Sequence, residues 1–184
     1  MKIGIDVDGV LADTLHSILT QLNPTWDIAK GWKGGLSDKD YDAVWEKAKT
    51  IQNFWAHLQT EVNVDNQTCA LLKHVLCLHD VWFITNRFET KGTSPMKQTK
   101  YWLHSYIGVE SPNVIVAKDK GPVATILGLD YFIDDNLQNC IDVQTARPTA
   151  KVFLCSMPHN ADMKTTVQRV EYLKEFLKLI LEAN

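Results

Sequence analysis

Five short apolar runs punctuate this sequence: residues 2–7 (KIGIDV), 81–85 (VWFIT), 113–117 (NVIVA), 131–133 (YFI) and 151–155 (KVFLC). Each is brief and rich in β-branched or aromatic residues, and reads as a buried strand. Helical patterns fill the intervals. Residues 66–79 place Ala70, Leu71, Val75 and Leu78 on one face, and residues 95–107 open with Pro95 at a first helical position. Residues 164–182 place Val167, Val170, Leu173, Leu177 and Ile180 on one stripe. Strands alternating with helices predict an α/β fold, a parallel sheet with helices on both faces. Such sheets bind ligands beyond the carboxyl ends of their strands.

The polar residues fall where that rule needs them. Asp6 and Asp8 end the first run, Thr85 and Asn86 the second, Lys118 and Lys120 follow the third, and Asp134 and Asp135 end the fourth. Residues i and i+2 of a strand point the same way, so Asp6 and Asp8 converge. Two carboxylates that close repel unless a cation or a shared proton intervenes. A hard, oxygen-liganded ion such as Mg²⁺ relieves them, with Asp134 and Asp135 as further ligands. Asp-x-Asp-Gly alone also suits a plain turn; the second acidic pair and the lysine weigh against that reading. A magnesium site with a free carboxylate suits phosphoryl transfer, because aspartate can attack phosphorus and form an acyl phosphate. Thr85, Asn86 and a lysine would hold the remaining phosphate oxygens. Gly9 lets backbone come close. The second aspartate can protonate the leaving oxygen and then activate water.

Residues 14–65 differ from the rest. They hold Trp26, Trp32, Trp45 and Trp55, the turn Lys33-Gly34-Gly35 and a helical pattern near 38–50, with no clear strand. They read as a small helical cap inserted into a core made of residues 1–13 and 66–184. Tyr41, Val44, Trp45 and Ala48 share a helix face, which assigns Trp45 to the interior of the cap. Trp26 and Trp32 lie off that stripe and are the candidates for stacking on a base. Phe54 and Trp55 precede the return to the core, at a hinge or pocket wall.

Taken in order, the four polar sets resemble the haloacid dehalogenase superfamily: Asp6-Val7-Asp8-Gly9-Val10, Thr85 in FITNR, Lys120 in VAKDKGP, and Asp134-Asp135 in YFIDDN. The resemblance spans essentially the whole chain. It implies that Asp6 is the nucleophile and Asp8 the general acid/base. It also implies that Mg²⁺ is bound by Asp6, the Asp8 backbone carbonyl and one of Asp134 and Asp135, with Asp135 favoured as the direct ligand. Within the superfamily the chain is similar to the 5′(3′)-deoxyribonucleotidases, on DVDGVLAD, NFWAHLQTEVNVDN, AKDK before IDD, and MPHN at 157–160. That implies a phosphatase of (deoxy)nucleoside monophosphates; the candidate substrate contacts are Trp26, Trp32, Trp55 and Lys118. Two departures bear on substrate identity: Asn86-Arg87 follows Thr85 where the family has a small residue, and Thr14 replaces an aromatic.

Other classes recede. With 19 basic and 22 acidic residues the net charge is −3, which exerts no global pull on nucleic acid or membrane. Arg87, Lys91, Lys97 and Lys100 form a local basic stretch that keeps a polynucleotide 3′-phosphatase as the rival enzyme. No apolar run reaches the roughly 18 residues a membrane span needs. The amino terminus leads directly into a strand without a visible signal peptide, and the four cysteines form no C-x-x-C pair, so a cytoplasmic protein with reduced thiols is expected. The histidines lack zinc-ligand spacing, and His159 reads as a turn residue or part of the site wall. A receiver domain places its phosphorylated aspartate on a later strand. A non-enzymatic module on a retired fold would not need all of Asp6, Asp8, Thr85, Lys120 and Asp135.

Overall fold

The computed structural model describes residues 1–27, 30 and 33–183. In chain order the first elements are β1 (Lys2–Ile5), β2 (Ala12–Asp13), α1 (Thr14–Gln21), α2 (Asp38–Lys49), β3 (Gln59–Thr60) and α3 (Asn66–Leu78). There follow β4 (Asp80–Thr85), α4 (Pro95–Trp102), β5 (Asn113–Val116), α5 (Lys120–Leu127), β6 (Tyr131–Asp134), α6 (Leu137–Ala146), β7 (Lys151–Cys155), β8 (Gln168–Val170) and α7 (Leu173–Glu182). All five predicted strands are present.

Six strands pair in the order β5-β4-β1-β6-β7-β8, every pairing parallel. The chain winds outward from β1 through β4 to β5, then returns to the other side of β1 for β6. The winding direction reverses at β1, and a crevice opens beyond the ends of β4, β1 and β6. One face of the sheet carries a large core including Ile3, Ile5, Leu72, Val75, Phe176 and Ile180; the other carries Ile84, Ala124, Phe132, Cys140, Val143 and Leu154. β1 faces this second core with Gly4. A Cβ there would stand 2.7 Å from Leu129 Cδ1 and 2.8 Å from Phe132 Cδ2.

Several predicted elements are corrected. Residues 164–182 are not one helix: residues 168–170 form β8, and α7 begins at Leu173. Val167 and Val170, placed on one helical stripe by their spacing, enter opposite cores. Three residues apart in extended chain means opposite faces. Arg169 ties this edge strand down through Asn160 Oδ1 (3.0 Å), Asn160 O (2.8 Å) and Met163 O (2.8 Å). On α3 the buried stripe is Thr68, Leu72 and Val75, while Ala70 and Leu78 face outward. Thr68 can be buried because its one hydroxyl proton has acceptors at Asn63 O and Asp65 Oδ1, so a polar residue takes a place on the covered stripe. The 95–107 helix is regular only to Trp102; residues 103–107 widen into a π turn that stops at Gly108, with φ +75°.

Residues 14–65 do contain a strand. β3 pairs antiparallel with β2, joining the two ends of the segment. Glu61 follows β3, donates its N–H to Leu11 O and buries its side chain to 7% exposure. No helix among the described residues is long and apolar enough to cross a membrane.

Two outcomes follow from this packing. Gly4→Ala should lower stability by about 1–3 kcal/mol, the usual cost of overpacking. A urea midpoint equal to that of the parent would contradict the tight contact of the second core with β1. Glu61 is pushed up to about 8 by burial, then by Asp13 and Asp135. The folded state thus keeps a proton that the unfolded chain releases near 4.5, and stability from this group falls as pH rises through that window. Glu61→Gln should flatten the decline of Tm between pH 5 and 9 in metal-free buffer. An unchanged slope would refute the assignment.

Candidate active site

The loop after β1 is fixed by its own backbone. Asp6 N donates to Ile133 O, Leu11 N and Ala12 N both donate to Val7 O, and Gly9 N donates to Ala12 O. Gly9 has φ +80°, and a Cβ on it would lie 2.0 Å from Asp135 Oδ2. The glycine is required twice, by the turn and by the space beside that oxygen.

Around the loop the strand ends converge. Lys120, the first residue of α5 and 2% exposed, places Nζ 2.7 Å from Asp6 Oδ1 and 2.6 Å from Asp134 Oδ2. Asp134 is saturated: it also accepts from Asn136 N at 2.8 Å and from Asn139 Nδ2 at 3.1 Å on both oxygens. Asp135 is not. Its Oδ2 is buried without a hydrogen bond, with His159 Nε2 at 3.2 Å. Asn160 secures the Asp135 backbone carbonyl at 2.7 Å. Ligand oxygens of Asp6, Asp134 and Asp135 lie within 4.8 Å of one another.

Asp8 faces a different environment. It accepts from Thr14 Oγ1 at 2.6 Å, Thr85 Oγ1 at 2.6 Å, Arg87 Nε at 2.9 Å and Arg87 Nη2 at 2.8 Å. Burial alone would push its pKa up, but the Arg87 guanidinium and the two hydroxyls outweigh that and hold it below the usual range. Asp6 moves the other way: burial and Asp134 raise it well above normal, against the pull of Lys120. Asp135 is raised too, by burial first, with His159 in opposition.

Four carboxylates (Asp6, Asp8, Asp134, Asp135) thus meet two permanent cations (Lys120, Arg87). The deficit matches a divalent ion. All-oxygen donors, a buried Asp135 Oδ2 whose neighbour is the His159 ring, and the space left by Gly9 fit a hard cation such as Mg²⁺.

This cluster lines one side of a cavity of about 540 Å³. Trp45, Trp55 and Phe88 line the same cavity. The Trp45 and Trp55 rings are 6.3 Å apart and stacked; Phe88 meets them edge-on at 5.5 and 5.0 Å. Trp55 is held at both ends, its Nε1 donating to Phe88 O and its N to Gln98 Oε1. Asp42, Glu46 and Lys49 of α2 add a charged margin, and Asn86, Asn136 and Asn139 line the cavity beside the carboxylates.

The structure therefore brings together Asp6, Asp8, Gly9, Thr85, Asn86, Lys120, Asp134, Asp135 and Trp55. Thr85 donates to Asp8 rather than standing free. Lys118 is exposed and outside the cavity lining. Trp26 is buried at 3%, packed against Tyr41 and Trp45 and covering Gly34, so it does not line the cavity as expected. Trp32 lies outside the described residues. Trp45, assigned to the interior from its stripe, instead lines the cavity; the same helix face serves both. Arg87 is buried on Asp8, which removes it from the basic stretch, whereas Lys91, Lys97 and Lys100 are exposed. The unrecognised site residues had modest signals: Arg87 two positions after the strand-end threonine, and Asn136 and Asn139 one and four positions after the acidic pair.

Three solved structures share the fold. A haloacid dehalogenase-like hydrolase from Xanthomonas campestris matches with TM-score 0.52 and 13% identity, over 99% of this chain and 95% of its own. CbbY from Rhodobacter sphaeroides, in complex with phosphate, gives 0.54 and 14%, over 95% of each chain. L-2-haloacid dehalogenase from Xanthobacter autotrophicus, with chloropropionic acid covalently bound, gives 0.53 and 10%, over 100% and 99%. A comparison with curated proteins gave no match. The model of the family described as 5′ nucleotidase, deoxy (pyrimidine), cytosolic type C matches residues 1–184. With strand ends, cavity and full-length match in agreement, the chain belongs to that family and is a phosphatase of the haloacid dehalogenase type acting on nucleotides.

Proposed function

We propose that this protein hydrolyses (deoxy)nucleoside monophosphates through an Asp6 acyl-phosphate, with Mg²⁺ held by Asp6, the Asp8 backbone carbonyl and Asp135. The observation that carries this reading is the cavity itself, lined both by a carboxylate cluster short of positive charge and by an aromatic wall. When bound, Mg²⁺ screens the repulsion between Asp6 and the phosphate dianion.

The rest follows from the residues. Asp6 attacks phosphorus, and Lys120 places one ammonium against both Asp6 and Asp134. Asp134 is already saturated and supports the lysine, which leaves Asp135 as the direct ligand. Thr85, Asn86 and the backbone beside Gly9 receive phosphate oxygens. Asp8, once it has taken a proton from solvent, gives that proton to the leaving oxygen and later takes one from the attacking water. Only donors surround Asp8, so it must give up Thr85 to act as an acid, and that frees the Thr85 hydroxyl for phosphate. Residues 14–65, joined at their base by β2 and β3, act as the cap. They carry Trp45 and Trp55, exclude bulk water and stack the base. A cytoplasmic setting agrees with the family description. The burial of Arg87 leaves the polynucleotide reading with only exposed lysines.

Three results test this. Asp6→Asn should reduce turnover of nucleoside monophosphates to background while the variant stays folded; substantial turnover without deamidation excludes Asp6 as nucleophile. Chelation should abolish activity and Mg²⁺ should restore it and raise Tm, since a ligand of the native state alone stabilises it. Trp45→Ala should cut nucleotide kcat/KM by about 5- to 150-fold, because a base–aromatic stack contributes roughly 1–3 kcal/mol. Deoxyribose 5-phosphate, which has no base, should be affected far less. Equal losses on both substrates would show that Trp45 only maintains the cap. A 3′-phosphorylated oligonucleotide cleaved faster than any mononucleotide would favour the rival enzyme.

A further inference from the structure

Arg87 is tied to more of the site than any role assigned so far requires. Its side chain is fully buried, at 0% exposure. One edge of the guanidinium grips Asp8 through Nε and Nη2 at 2.9 and 2.8 Å. Nη1 donates to Thr99 Oγ1 on α4 at 2.9 Å. Its Cζ stands 5.0 Å from the centroid of the Trp55 ring. The guanidinium is thus fixed by a carboxylate, a hydroxyl and an aromatic ring. Trp55 is itself fixed by Phe88 O and Gln98 Oε1.

This arrangement resolves a difficulty in the chemistry. Asp8 must release hydroxyl donors to move protons, yet a buried carboxylate cannot be left without a partner. Thr14 and Thr85 each offer one exchangeable hydroxyl. Arg87 offers a planar fork that retains its grip while they change, and lysine cannot reproduce that geometry.

We propose that Arg87 is a positioning residue that holds Asp8 in catalytic register, with Trp55 and Thr99 as its supports. The proposal rests on the reading of Asp8 as the proton carrier. It makes Trp55 more than part of the aromatic wall: the ring also acts on the reacting end of the substrate, through Arg87.

The test uses deoxyribose 5-phosphate, a substrate with no base to stack on Trp55, alongside a deoxynucleoside monophosphate, in the full-length protein with Mg²⁺. Arg87→Lys should lower kcat about 10- to 100-fold on both, the scale of a small misplacement of a reacting group, with KM changed by less than about threefold. Trp55→Leu should lower kcat on the base-free substrate as well. In the Arg87→Lys background, Trp55→Leu should cost little more on that substrate, because residues acting as one unit are non-additive. Thr99→Val, which removes the hydroxyl acceptor and keeps the shape, should show the same kcat-only loss and the same non-additivity. It carries the test if Trp55→Leu does not fold.

An unchanged kcat in Arg87→Lys, a loss confined to KM, or losses that multiply in the double variants would each overturn the proposal. Asp8→Asn separates this from the underlying reading. Normal turnover in Asp8→Asn would remove the premise. An inactive Asp8→Asn with an additive Arg87 series would leave the nucleotidase reading standing and sink only the role of Arg87.

Discussion

Lys120 holds one ammonium between Asp6 and Asp134, and most of the site can be understood from that contact. A parallel sheet gathers the carboxyl ends of its strands at one edge, so residues distant in sequence are compressed into one volume. Here that volume collects more negative than positive charge. Lys120 and Arg87 divide the four aspartates into two environments. The pair around Lys120 stays short of positive charge, and protons are drawn to Asp6 and Asp135 in compensation. The Asp8 environment has donors enough and holds its carboxylate ionised. Two aspartates one residue apart thus differ in proton affinity, and a divalent cation at Asp6 and Asp135 would supply the positive charge that keeps the attacking carboxylate ionised.

On the proposed reading, the cavity divides recognition from reaction along the same line. Asp6, Asp8, Lys120 and Asp135 come from strand ends and the start of α5. Tyr41, Trp45, Glu46, Lys49 and Trp55 come from the segment between β2 and α3. Phosphate chemistry therefore rests on the part of the chain with the most extensive core. The aromatic surface rests on a part that meets it through the β2–β3 pair and through Trp55, which donates to Phe88 O and Gln98 Oε1.

Much of this was legible in the sequence, for a physical reason. Strands buried on both faces read as unbroken apolar runs, so Asp6, Thr85, Lys120 and Asp134 stand out where they end. What stayed hidden depended on long-range contacts or on very short elements. β2 and β3 have two residues each and show no period. β8 reads as helix because the spacing of Val167 and Val170 fits both states. Thr68 was invisible as a core residue because its burial depends on the hydroxyl bonds to Asn63 and Asp65. Trp26 and Trp45 exchanged expected roles because a helix stripe tells which residues are covered, not whether protein or a cavity covers them. Arg87 read as a surface charge because nothing local shows that a strand-end arginine turns inward to a residue 79 positions away.

The absent side chain at Gly4 has a consequence for electrostatics. Leu129, just past the end of α5, and Phe132 settle into the space over β1, Ala124 lies in the same core, and Gly121 packs against Asp142 and Ala146 of α6. The chain leaving α5 therefore lies close on the central strand. A lysine has a fixed reach, so the seat of α5 sets whether the ammonium of Lys120 meets Asp6 and Asp134 at once. The thickness of an apolar layer in this protein sets the depth of a charge. Bulk added beneath α5 would register as a change in the ionisation of Asp6, far from any titratable group of its own.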